Sequence, residues 1–292
     1  MRLRKYLTLL FIFISVQSIA EMKMKMNNSK LPFTIYSIGN AESIFNATEK
    51  TTEELVFQMI FEQLPEYDVV LEIASFDTAY NHIEASKNIC IRNLIKTAER
   101  QKSLIFSKPQ SFLLSPRLYF SPYVDAQIIS KIKHLPFSEI FKHYPSLSIG
   151  FESNRAYGTQ LQKHFSQLED ANVFTRIDSN GENLMIAMLL KGRFDMLVEY
   201  PYVFDYKAKI INPELSVQHT SISDVAPLIF THIACNKSDD SAKLIKKINA
   251  ILASLYFQQQ YIDSHLKLIN QTSHSLFIKL LKQYINNMQN RN

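Results

Sequence analysis

Apolar residues recur along this chain at two alternating spacings, and the alternation predicts strand followed by helix several times over. Residues 31–38 read as a strand. Thr51, Thr52, Glu53 and Glu54 then open a helix to about residue 64, because a threonine followed three residues later by a glutamate satisfies two orphan N–H groups reciprocally. Residues 67–74 read as a strand, 76–86 as a helix and 89–91 as a short strand; a polar turn at 96–101 separates it from another at 104–106, and Pro109 closes that unit. Residues 111–121 run extended through Pro116. A helical stretch at 126–141 leads to a strand at 146–151, a helix opened by residues 153–158 and ended near 168, and a strand at 173–177. A helix at 181–190 and a tight turn at 191–195 lead into a strand at 196–200. Residues 224–235 return as an extended segment, and from Ser238 onward the chain reads as almost wholly helical, with Ala242, Leu244, Ile245, Ile248 and Ile251 on one face. This order predicts an α/β fold on mostly parallel sheets flanked by helices.

The N-terminus carries a different signal. Arg2, Arg4 and Lys5 precede an apolar run at 6–16, and Ser18, Ile19 and Ala20 supply small residues for cleavage, so 1–20 reads as a secretory signal peptide. The run is about half of the ~20 residues a retained spanning helix needs. Residues 21–30, rich in Met and Lys, read as a disordered leader. Export changes the charge picture: of 32 basic residues the signal removes three, leaving 29 against 27 acidic. A sequence pI near 9.0 therefore does not argue for nucleic acid, and no basic stripe interleaved with aromatics appears. The length left after the signal suits two lobes. Cys90 and Cys235 lie far apart, and an oxidising compartment makes one bridge between them plausible, with two buried free thiols as the alternative.

The stretch from Thr97 through Arg100 to Phe106, Ser107 and Pro109 resembles the family-three bacterial extracellular solute-binding proteins, the type II periplasmic binding proteins that include amino-acid binders. The resemblance implies a two-lobed fold with two crossovers, lobe one formed by 31–113 and 228–292 and lobe two by 114–227. It implies that Arg100 holds a ligand carboxylate, for which a guanidinium offers a planar fork of donors; a surface pair with Glu99 is the alternative. It also implies that the turn at 191–195 leads to Glu199, which meets a ligand amine, the alternative being a pair with Arg193 or Lys191. Arg155 and Tyr157 would flank an anion at the helix opening after Gly150, or Ser153 and Asn154 are N-caps and Tyr157 packs. Asn93 and Thr97 complete the ligand set. Where relatives place small hydroxyls before T-x-x-R, this chain has Asn93-Leu94-Ile95-Lys96, and Gly39-Asn40-Ala41-Glu42-Ser43 replaces a proline-containing aromatic loop. Finally, the resemblance puts Cys90 and Cys235 on neighbouring strands of lobe one, within bridging range.

Catalytic signatures are weak. The eight histidines show no H-x-x-x-H spacing, no G-x-S-x-G occurs, and five glycines cannot furnish a phosphate loop; a dehydratase using Glu199 as general acid is a minor alternative. The expectation is thus a periplasmic, monomeric solute-binding protein, not an enzyme, without cofactor or metal and without nucleic acid. It would close on an amino acid or related carboxylate and deliver it to a membrane permease for ABC-type uptake. The alternative is a ligand-sensing module, for a polyamine held by Glu199, Tyr200 and Tyr202, acting on a membrane sensor.

Overall fold

The computed structural model describes residues 30–38, 51–153, 155–176, 184–212, 214, 216–267 and 269–289. The expected signal, nearly all of the leader, the loop at 39–43, Asn154, Ile177 and the opening of the helix at Gly181 lie outside the described residues. The strands are β1 (Leu31–Ile38), β2 (Tyr67–Ala74), β3 (Ile89–Ile95), β4 (Leu104–Leu114), β5 (Arg117–Phe120), β6 (Ile149–Glu152), β7 (Val173–Arg176), β8 (Met196–Glu199), β9 (His219–Ser221) and β10 (Leu228–Asn236).

They form two five-stranded sheets, ordered β2-β1-β3-β10-β4 and β7-β6-β8-β5-β9, and each sheet is the centre of a lobe. Each sheet has one strand running against its neighbours: β10 is antiparallel to β3 and β4, and β5 is antiparallel to β8 and β9. Both are the first strand after the chain crosses from the other lobe. A lobe's own parallel strands point their carboxyl ends at the crevice, so a strand that enters from the crevice must run the opposite way.

Each sheet is covered on both faces. In lobe one, Phe33, Ile35 and Phe112 pack with Val56, Leu244, Ile248, Leu252 and Phe277 on one face, while Tyr36, Ile91 and Leu104 pack with Ala79 and Ile83 on the other. In lobe two, Leu118, Ile149 and Val198 meet Ile129, Phe137 and Leu161, and Tyr119 and Leu197 meet Ile186, Leu189 and Phe204. The edge strand β4 finds side-chain partners where another strand would sit: Phe112 N–H donates to His265 Nε2 (3.1 Å), and the hydroxyls of Tyr256 and Tyr261 donate to Pro109 O (2.7 Å) and Gln110 O (2.9 Å).

Local chemistry explains most element ends. Thr51 and Glu54 form the expected capping box on helix Thr52–Phe61, and Ser75 caps helix Phe76–Ala85. The stretch expected as one helix at 126–141 is two, Ala126–Ile132 and Phe137–His143, because Pro136 cannot donate within a helix. The C-terminal region is three helices, Asp239–Leu255, Gln259–Leu266 and His274–Gln289. Cys90 and Cys235 are directly paired between β3 and β10 and form a disulfide with a Cα–Cα separation of 3.9 Å. The alternative of two free thiols is thereby removed.

Candidate functional site

The crevice between the lobes opens at the carboxyl ends of the parallel strands. A cleft of about 610 Å³ is walled from lobe one by Lys96, Gln101, Phe230 and His232 and from lobe two by Tyr157, Gly158, Thr159 and Gln160. His232 is buried with Nδ1 at 2.8 Å from Ser107 O, and burial pulls its pKa down to about 4.

On lobe one, Arg100 begins the short helix Arg100–Ser103 that joins β3 to β4. Its backbone N–H donates to Thr97 Oγ1 (3.2 Å), so the threonine of the T-x-x-R pattern fixes the turn that carries the arginine. Arg100 Nη1 donates to Ile95 O (2.7 Å), and the guanidinium stands 4.8 Å from the ring centroid of Phe76. Among the described residues it has no carboxylate partner within salt-bridge distance, neither Glu99 nor another. Burial lowers its pKa, opposed by Tyr80 and Glu99, and it stays a cation. Asn93 adopts φ 60°, a left-handed conformation that asparagine tolerates, and its N–H donates to Gln110 Oε1 (3.3 Å). Lys96 Nζ lies 5.9 Å from the ring centroid of Phe106.

On lobe two the expected helix opening is corrected. The helix spans Thr159–Phe165, and Gly158, at φ 88°, stands before it. Arg155 to Tyr157 are therefore loop, because a left-handed residue cannot continue a right-handed helix. That loop swings Arg155 onto Glu199: Nη1 donates to both carboxylate oxygens, at 2.6 and 2.8 Å, and Nε lies 3.1 Å from Glu152 Oε2. Glu199 is 2% exposed, and its Oε1 also accepts from Tyr200 N–H at 2.7 Å. Its partner is thus neither Arg193 nor Lys191. Glu152, 5% exposed, has Lys207 Nζ at 3.9 Å as a further cation. Tyr157 is 1% exposed, and its hydroxyl accepts from Glu152 N–H (3.0 Å) while its ring packs on Phe151 and Phe165. In the preceding turn, Gly192 takes φ 65°, and Asp195 Oδ2 accepts from Ser148 N–H (2.8 Å) and Oγ–H (2.7 Å), tying β8 to the start of β6.

The structure thus joins Arg155, Glu199 and Tyr157 in one network and Arg100 and Thr97 in another. Sequence reasoning missed Glu152, Lys207 and Arg92. Arg92 is 5% exposed on β3, and the signal for it was an arginine inside the apolar run I-C-I-R-N-L-I. Tyr202 of lobe two lines a cavity together with Thr52 and Phe112 of lobe one. Burial raises the phenol's pKa, helped by Glu53 of lobe one and by Glu199 and Glu152 of lobe two. Among the described residues, no cluster of three potential metal ligands occurs, and no helix is long and apolar enough to cross a membrane.

No protein-family model matches the chain, and no curated protein matches it in sequence. Solved structures do match. One comes from a study of glutathione import via GshT and the cystine ABC importer TcyBC of Streptococcus mutans (17% identity, TM-score 0.60, 82% of this chain and 95% of that one). Another is an ancestral arginine-binding protein bound to arginine (16%, TM-score 0.60, 83% and 100%). A third is the ancestral amino acid-binding protein AncCDT-1, a precursor of cyclohexadienyl dehydratase (16%, TM-score 0.58, 86% and 99%). The chain therefore has the two-lobed type II periplasmic-binding-protein fold.

Proposed function

We propose that the chain is an exported solute-binding protein that closes its lobes on a small carboxylate-bearing ligand, an amino acid or a relative, and presents it to a membrane permease for ABC-type uptake. The observation that carries this reading is Arg100. It lies next to Gln101, which walls the cleft, with donors to spare and no counter-ion among the described residues, in a fold whose neighbours include amino-acid binders. The lobe division proposed with it, 31–113 with 228–292 and 114–227, is supported by the membership of the two sheets. We place the mature chain in the periplasm, in keeping with the secretory signal pattern at 1–20, and take it to act as a monomer.

The pairing of Glu199 with Arg155 weighs against two other readings. A polyamine held by Glu199, Tyr200 and Tyr202 needs a free carboxylate, and a dehydratase needs one able to carry a proton; both oxygens of Glu199 are engaged. A thermal-shift screen of amino acids, carboxylates and polyamines tests the function, since a ligand at 100 times its Kd adds about 2.7 kcal/mol of stability. Carboxylates should score and polyamines should not. By calorimetry, Arg100→Ala should weaken the hit by about 2–5 kcal/mol; undiminished affinity would remove Arg100 from the site.

A further inference from the structure

Arg92 is a buried arginine whose hydrogen bonding is incomplete. Its Nη2 donates to Ser37 Oγ at 2.8 Å and lies 3.7 Å from Glu54 Oε1, beyond hydrogen-bond reach. The other oxygen of Glu54 is taken by Thr51 N–H. The Arg92 guanidinium stands 5.6 Å from the Phe57 ring centroid. Nε and Nη1 are buried and have no hydrogen-bond partner among the described residues. A guanidinium always carries its charge and offers five donors, and leaving buried donors dry costs a fold more than it returns.

Its position fits a binding role. Ser37 is the last residue but one of β1, and the neighbouring Tyr36 pairs with Ile91, so Ser37 and Arg92 lie side by side toward the carboxyl ends of parallel strands. Glu54, the carboxylate at 3.7 Å from Arg92, lies on the helix whose first residue, Thr52, lines a cavity with Tyr202 of lobe two, so that helix reaches the place where the lobes meet. The charges point the same way: on lobe two Arg155 and Lys207 match Glu199 and Glu152, whereas on lobe one Glu54 stands 3.7 Å from Arg92 and Arg100 has no carboxylate partner among the described residues.

We propose that Arg92 and Ser37 form an anion-binding subsite in lobe one that takes a second acidic group of the ligand, beside the carboxylate met by Arg100, so that the ligand is a small dicarboxylic acid or an acidic amino acid. This rests on the solute-binding reading. Arg92 supplies the charge and the open donors, and the Ser37 hydroxyl accepts from Arg92 and donates its proton to the ligand oxygen.

The test is titration calorimetry of the mature chain with L-glutamate, L-aspartate and succinate, each amino acid run beside its amide, L-glutamine or L-asparagine. The acids should bind at least about 30-fold tighter than the amides, the low end for a desolvated charged contact. Arg92→Gln should reduce that ratio to a few-fold, with ligand-free melting no lower than that of the parent, whereas a merely structural arginine would lower it. Ser37→Ala, a smaller change, should cut acid binding about tenfold and spare the amides, and it reads the same subsite if Arg92→Gln does not fold. Amides that bind as tightly as acids, or a ratio unmoved by both variants, would overturn the subsite and leave the solute-binding reading intact. No binding of any amino acid or carboxylate at millimolar concentration would overturn both.

Discussion

At the mouth of lobe two, Glu199 and Glu152 each have a cation against them, with Arg155 bridging both. In lobe one, Arg92 has the Ser37 hydroxyl, the Phe57 ring and Glu54 at 3.7 Å, and Arg100 has a backbone carbonyl and the Phe76 ring but no carboxylate among the described residues. Lobe one has its ion pairs mainly at the surface, and its interior is held by devices that carry no charge, such as the Cys90–Cys235 bridge and the buried His265, whose Nε2 accepts from the edge of β4. The difference teaches how the two lobes share work. A lobe whose ions already satisfy one another is a fixed wall, whereas one that keeps cations underused has free energy to gain only when an anion arrives. A ligand shifts the open–closed equilibrium only by its differential affinity for the two states. On this view the anion docks on lobe one first and lobe two closes over it.

The bridge is where the comparison breaks most strongly. It closes a loop of 145 residues that contains the whole of the second sheet. The chain-entropy model gives about 5 kcal/mol for a loop of that length. Replacing both cysteines by serine should lower the denaturant midpoint by a corresponding amount, with affinity for any ligand at the Arg100 site nearly unchanged in the fraction that stays folded. Equal midpoints for parent and variant would show that the strand pairing, not the bridge, holds the two passages together.

Lobe two should respond next most strongly, through Arg155. Truncation to Met leaves Glu199 and Glu152 buried without their shared cation, and breaking a buried pair from one side costs about 3–5 kcal/mol. The double change Arg155→Met with Glu199→Gln should recover part of that loss, because the stranded charge is gone. In Glu199→Gln alone, an amine-bearing ligand and a simple carboxylate should lose affinity equally if Glu199 supports the wall. Selective loss of the amine-bearing ligand would give Glu199 the ligand-reading role expected from the sequence.

Much of this arrangement was legible in local patterns. The capping box at Thr51 and Glu54, the alternation of strand and helix, and the turn at Gly192 are encoded within four or five residues, where backbone geometry leaves few options. The bridge followed from a resemblance in strand order that the paired β3 and β10 reproduce. What escaped reading depends on contacts between distant residues or on a single conformation. Arg155 and Glu199 are 44 residues apart, and nothing near either one in sequence announces the other. The helix expected to open at Ser153 was defeated by one glycine at positive φ. Arg92 was overlooked because its neighbours make an ordinary apolar strand; only the count of its donors against its partners singles it out.

A smaller effect separates the lobes by pH. His265 Nε2 accepts from Phe112 N–H and Nδ1 lies 2.8 Å from Tyr261 O, so the buried ring is neutral with its proton on Nδ1. A second proton would have to face the Phe112 N–H, and burial accordingly pulls the pKa down from 6.5 to about 4. The sign follows directly. The unfolded chain takes up a proton below pH 6.5 and the folded one does so only near pH 4, so the stability conferred by the neutral ring is complete above 6.5 and is lost as pH falls through that window. The loss is about 2 kcal/mol between pH 8 and pH 5 and approaches ~3 kcal/mol below pH 4. Glu53 works in the opposite direction, because burial raises its pKa and its contribution falls as pH rises. Denaturation of His265→Gln beside the parent isolates the histidine, since the glutamine oxygen can accept the same N–H. The variant should flatten the acid slope of stability by about one proton while leaving the Arg155 network untouched; an unchanged slope would mean that the folded ring takes up its proton as readily as the unfolded one and that lobe one, too, can bury charge.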